Sequence, residues 1–172
     1  MKTKIQFSEK KLSENQFNSN SHYLLILDSE KKTIPFYSLI LSKLKRAKKK
    51  FTDLSKNALQ IDLPNGAFLS VVMVKENETI FENQTKLRKA LSPLFLEKPK
   101  KIIINSDSVI SERYIYNAIY VTLINSQSLL TLKKIKSKEN LINLDIFGCK
   151  KINNLQQIHA LVQGNTYTRN LT

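Results

Sequence analysis

Two histidines, one cysteine and a scatter of carboxylates are what this 172-residue sequence offers for proton transfer, nucleophilic attack or metal binding. His22 stands at the head of an apolar run and His159 inside the last helical pattern. Neither has a Cys, His or carboxylate at metal-ligand spacing. A lone helical histidine is more often a packing or surface residue than a ligand. Ser and Thr are plentiful, but no G-x-S-x-G elbow presents one as a nucleophile. Asp28, Asp62, Asp107 and Asp145 fall at strand ends or in alternating strands. Asp28 and Asp107 sit where turn or capping residues would. Open α/β sheets bind ligands at the carboxyl ends of their strands, but these residues do not mark such a site. Cys149 cannot form an intrachain disulfide and reads as a small core or boundary residue in a reducing cytoplasm.

Glycine narrows the chemistry further. Gly66, Gly148 and Gly164 are the only three, and they are far apart. A phosphate cradle needs closely spaced glycines so that backbone N–H groups can reach the anion. Neither G-x-G-x-x-G nor a Walker loop can be built here, which disfavours a nucleotide-binding domain, ADP-ribose binding included.

The formal net charge is +14. It is concentrated in Lys45, Arg46, Lys48, Lys49 and Lys50, in Lys98 to Lys101, in Lys133, Lys134, Lys136 and Lys138, and in Lys150-Lys151. Nucleic-acid readers interleave aromatics for stacking or use arginine on base edges. Clusters dominated by lysine support at most salt-sensitive, sequence-independent binding. A Lys-, Asn- and Ile-rich coding bias explains the charge more simply than a dedicated polyanion site does.

Such side chains need a scaffold. At this length one domain with an ordinary hydrophobic core is expected. No run approaches the ~20 apolar residues of a membrane span, and the basic N-terminus has no apolar h-region of a secretory signal. Residues 1–20 lack a period and read as an irregular arm. His22 to Leu27 (HYLLIL) predicts a buried strand. Pro35 is expected in the first turn of a helix whose apolar face is Phe36, Leu39, Ile40, Leu44 and Ala47. Leu59 to Leu63, the turn Pro64-Asn65-Gly66 and Phe68 to Val74 predict an antiparallel hairpin. A helix follows from Phe81 to Phe95, with Pro93 kinking or ending it. Lys101 to Asn105 predicts a strand covered on both sides. Asp107 or Ser108 caps a helix with the stripe Ile110, Tyr114, Ala118, Val121 and Ile124. Residues 127–138 read as a Lys-rich loop, and Asn140 to Phe147 as a strand ended by Gly148.

The last segment starts as a helix at Asn153 or Asn154, with Leu155, Ile158 and Val162 at helical spacing. The stripe gives way to polar Asn165, Thr166 and Arg169, which reads as an element cut from a longer chain. The order β-α-β-β-α-β-α-β-α predicts an α/β layered domain with a mixed sheet over residues 21–150, followed by a helix over 151–172.

Three stretches and the final helix resemble the N-terminal domain of the leucyl (cytosol) aminopeptidase family, PepA/PepB-like. They are the hairpin IDLPNGAFLSVVMV, the helix–strand KLRKALSPLFLEKPKKIIINSD, and the helix from Ser108 to Ser126 with LLTLKKIKSK. In IHALVQGNTYTRNLT, Gly164, Arg169, Asn170 and Leu171 fall on the family's linker-helix pattern. There Asn170 stands for the usual acid and Thr172 for a hydrophobic residue. The resemblance implies a macro-domain-like mixed β-sheet flanked by helices, with a C-terminal linker helix. It also implies that this chain holds no cofactor, and that two divalent metals (Zn or Mn) belong to a missing C-terminal catalytic domain. That domain carries the family's N-T-D-A-E-G-R signature, which does not occur in this sequence. The implied whole is a cytoplasmic peptide hydrolase, hexameric in relatives, in which this lobe supports assembly and active-site access. The alternative is a basic nucleic-acid-binding module.

Overall fold

The computed structural model describes residues 3–30, 34–106, 112–127 and 141–171, with side chains up to Arg169. Six strands form one sheet: β1 (Lys4–Ser8), β2 (His22–Asp28), β3 (Leu59–Asp62), β4 (Phe68–Val74), β5 (Lys101–Ser106) and β6 (Asn143–Phe147). Their spatial order is β1-β6-β5-β2-β4-β3. All neighbours are parallel except β3 and β4. Four helices flank the sheet: α1 (Tyr37–Arg46), α2 (Ile80–Leu96), α3 (Glu112–Ser126) and α4 (Leu155–Leu171). The helix-flanked mixed sheet is the fold class expected from the sequence.

The apolar pattern decides the layers. β2 is buried from His22 through Leu27, because a central parallel strand has both faces covered. Leu24, Ile26, Val72, Val74, Ile102, Ile104, Leu144 and Ile146 face α2, α3 and α4. Tyr23, Leu25, Leu27, Leu69, Val71 and Met73 face the other way, onto Ile40 and Leu44 of α1 and onto Leu54. The hairpin forms as predicted. Gly66 takes φ +81°, and Ala67 N–H donates to Asn65 Oδ1 at 3.1 Å.

Several expectations need correction. The arm over residues 1–20 contains the edge strand β1, which pairs in parallel with β6 from Lys4↔Asn143 to Ser8↔Phe147. Its ladder bonds go to a distant segment, so local sequence does not announce it. Pro35 lies before α1 rather than in its first turn, and Phe36 precedes the helix at φ 57°. Pro93 lies inside α2, which runs on to Leu96. Its missing N–H falls in the last turn, where one lost intrahelical bond is tolerated. α2 starts one residue before Phe81, set by a capping box. Glu82 N–H donates to Thr79 Oγ1 at 3.2 Å, and Thr79 N–H donates to Glu82 Oε2 at 2.9 Å. Those backbone and hydroxyl donors hold the Glu82 carboxyl below its ordinary pKa. The strand expected over Asn140 to Phe147 is shorter, Asn143–Phe147. The proposed caps Asp107 and Ser108, together with Ile110 and Asn140, lie outside the described residues.

α1 and α2 are each followed, two residues beyond the helix end, by a lysine in the left-handed region. Lys48 has φ 54° and Lys98 φ 49°. After α1, Lys48 N–H donates to the Lys45 carbonyl at 3.1 Å and Lys49 N–H to the Leu44 carbonyl at 3.0 Å. This is the bond pair of a Schellman cap.

Candidate functional site: a cleft between three helices

His22 serves structure. His22 is 9% exposed, and its Nδ1 accepts the Phe68 N–H at 3.1 Å. Nε2 therefore carries the proton of the neutral ring. Burial lowers its pKa, and the Glu97 charge opposes this only in part. His159 is half-buried on α4. The Cys149 thiol donates to the Lys150 carbonyl at 3.0 Å. Burial and then the Glu112 charge push its pKa up, which suits an unreactive thiol.

At the carboxyl ends of the strands the polar groups hold loops. Asp28 Oδ1 accepts the Glu30 N–H at 2.9 Å, the turn role expected of it. Glu78 is buried and takes Lys86 as its ion-pair partner. The Glu78 carbonyl accepts from Arg113, and the Tyr114 hydroxyl donates to the Lys75 carbonyl. Asp145 is nearly buried in β6 and pairs with Lys101 at 2.6 Å. Asp107 lies outside the described residues.

Among the described residues no three His, Cys, Asp or Glu side chains gather to hold a metal ion. The side chains described therefore do not fit a dinuclear centre.

Two groups of basic residues stand out in the fold. Lys45, Arg46, Lys48, Lys49 and Lys50 are all exposed around the C-terminal end of α1, where cations complement the helix dipole. Tyr37, 51% exposed, stacks on Phe51, the residue after Lys50, with ring centroids 5.3 Å apart. Lys133, Lys134 and Lys136 lie outside the described residues.

The location of the second group was not legible as a site. α2, α3 and α4 enclose a cleft of about 340 Å³ on the opposite face of the sheet from α1. α2 supplies Phe81, Gln84, Thr85 and Arg88 to its wall. α3 supplies Tyr120, Val121, Ile124 and Asn125, and α4 supplies Asn165 and Arg169. Two hydrogen-bond sets hold those walls. Gln84 Nε2 donates to Asn117 Oδ1 at 3.2 Å, and Asn117 in turn donates to Asn83 Oδ1 at 3.1 Å. Asn165 Nδ2 donates to the Tyr120 hydroxyl at 3.3 Å. Thr166 hydrogen-bonds Gln127. The polar end of α4, where the apolar stripe runs out, is thus docked on α3 by side-chain hydrogen bonds. α4 continues to Leu171, so the loss of the stripe is not a break in the helix.

Of the four residues on the linker pattern, Gly164 is an exposed residue of α4 and Arg169 lines the cleft. Asn170 and Leu171 continue the helix, with side chains outside the described set. No described helix is long and apolar enough to cross a membrane.

No family model matches this sequence, and no curated protein matches it. Among solved structures it is similar to a mutant of tomato leucine aminopeptidase, with a TM-score of 0.65 and 12% identity. The match covers 96% of this chain and 36% of that one. The chain therefore has a leucine aminopeptidase-like fold and spans about a third of the length of that protein.

Proposed function

We propose that this chain is a non-catalytic lobe of a metal-dependent leucyl aminopeptidase, the N-terminal domain in that family's arrangement. It would support assembly and shape access to an active site carried elsewhere. One observation carries the reading: nearly the whole chain, 96%, overlays on 36% of an aminopeptidase chain. On this reading two divalent metals, Zn or Mn, and the peptide-bond chemistry belong to a separate catalytic domain. The 172-residue chain, incubated with Mn or Zn, should leave a leucine amide substrate intact. Robust turnover would refute the assignment. Reading the coding DNA past codon 172 tests the other half, because the proposal expects metal-ligand motifs in a following domain.

A second reading rests on the exposed cluster Lys45, Arg46, Lys48, Lys49 and Lys50 beside the stacked Tyr37–Phe51 pair. Cations next to an exposed ring suit a single-stranded nucleic acid. An anisotropy titration at two salt concentrations decides it, and no binding at low salt eliminates it.

A further inference from the structure

The cleft between α2, α3 and α4 has a composition that coding bias does not explain. The chain carries 28 Lys and Arg residues, and only Arg46, Arg88, Arg113 and Arg169 are arginine. Two of those four, Arg88 and Arg169, line the same cleft, and among the described residues no lysine does. A lysine-rich bias would put lysine there. Arginine differs in kind: its planar fork presents five N–H donors that match a phosphate or carboxylate bidentately.

The rest of the lining agrees. Among the described residues no Asp or Glu lines the cleft. Gln84, Asn125, Asn165 and Thr85 add neutral hydrogen-bonding groups, and Gln84 and Asn165 are already oriented by Asn117 and Tyr120. Phe81, 79% exposed, lines the same space and offers a ring to a flat partner. A volume of about 340 Å³ lies in the range of about 300–1,000 Å³ typical of small-molecule sites. Arg169 also interacts within the protein, so a ligand shares its donors with that contact.

We propose that this cleft binds a small oxyanion carried on a flat ring, either an aryl phosphate or an aryl carboxylate. Arg88 and Arg169 hold the oxyanion and Phe81 covers the ring. The proposal does not depend on the aminopeptidase reading, since it concerns this lobe's own ligand.

Isothermal titration of the full chain tests it, using phenyl phosphate, benzoate, inorganic phosphate and benzyl alcohol as probes. Saturable one-to-one binding is expected for phenyl phosphate or benzoate, and whichever binds more tightly names the oxyanion. Benzyl alcohol, with the ring and no charge, should not bind. Arg88→Gln and Arg169→Gln should each weaken binding about tenfold or more, the scale of one charge-assisted hydrogen bond. Arg46→Gln, on the opposite face of the sheet, should leave it unchanged. Phe81→Ala should weaken phenyl phosphate and spare inorganic phosphate. All four positions are exposed, and unchanged thermal melts confirm that the variants fold. No saturable binding of either aryl anion up to about 10 mM overturns the proposal. So does an equal loss in Arg46→Gln, or full affinity in Arg88→Gln.

Discussion

Asn117 on α3 donates its side-chain amide to Asn83 Oδ1 on α2 at 3.1 Å, with both residues shut off from solvent. This is a polar contact inside an otherwise apolar helix interface, and Gln84 extends it to the wall of the cleft. Asn83 Nδ2 has no partner among the described residues. Asn117→Leu leaves the Asn83 carbonyl oxygen buried and unbonded as well, and should cost about 1–3 kcal/mol. Adding Asn83→Leu removes the orphaned groups and should recover part of the loss. Urea unfolding of the two single variants and the double variant measures the coupling.

The three glycines should respond differently to alanine. At Gly148 a Cβ would lie 2.2 Å from the Ser106 carbonyl oxygen, and φ is +76°. Gly148→Ala should therefore cost about 3 kcal/mol or more. At Gly66 only the positive φ opposes a side chain, because the space is open. The expected cost there is about 1–2 kcal/mol. Gly164 sits in α4 with open space around it, so Gly164→Ala should stabilise by up to about 1 kcal/mol. Thermal denaturation ranks all three. The reverse change, Lys48→Gly at φ 54°, should raise stability by about 0.5–1 kcal/mol.

Stability should fall as the medium is acidified through the histidine range, and His22 is one cause. Burial holds its folded pKa below the ordinary 6.5. As pH drops through 6.5 the unfolded chain takes up a proton that the native protein refuses, which favours unfolding. The loss levels off below the folded pKa. His22→Gln should flatten this limb by at most about 1.4 kcal/mol per pH unit, the limit for one proton. Chemical unfolding between pH 7.5 and pH 5 compares the two slopes. A slope the same in both proteins would place the titration elsewhere.

Lys101 and Asp145 form an ion pair between neighbouring strands, with side chains 33% and 12% exposed. Lys101→Met leaves the carboxylate shielded and unpaired, and should cost about 2–4 kcal/mol. Lys101→Met with Asp145→Leu should be close to the starting protein, since no charge is then stranded. Urea midpoints check the order.

The sequence made some of these elements plain and hid others for physical reasons. HYLLIL is apolar at every position after its first two, and only a central strand buries both faces, so β2 could be read directly. The hairpin was equally plain, because Asn65-Gly66 is local turn chemistry. β1 was not legible: KIQFS is half-exposed along its length and finds its hydrogen bonds on β6. The start of α2 is marked by the capping pair Thr79-x-x-Glu82 and not by the apolar Phe81. Nor could spacing reveal the cleft, because its walls come from stretches near residues 81–88, 120–125 and 165–169. The basic cluster at the end of α1 was legible as charge, but its neighbour Phe51 and the ring of Tyr37 come together only in the folded chain.

The pairing of β1 with β6 sets the order of events during synthesis. Lys4–Ser8 is synthesised well before its ladder partner, Asn143–Phe147. Until then the outer edge of β5, with Ile102, Ile103 and Ile104, lies unpaired. An apolar edge left open invites wrong partners. The nascent chain should therefore be most prone to aggregate, and most responsive to chaperones, in the interval between completion of β5 and release of β6.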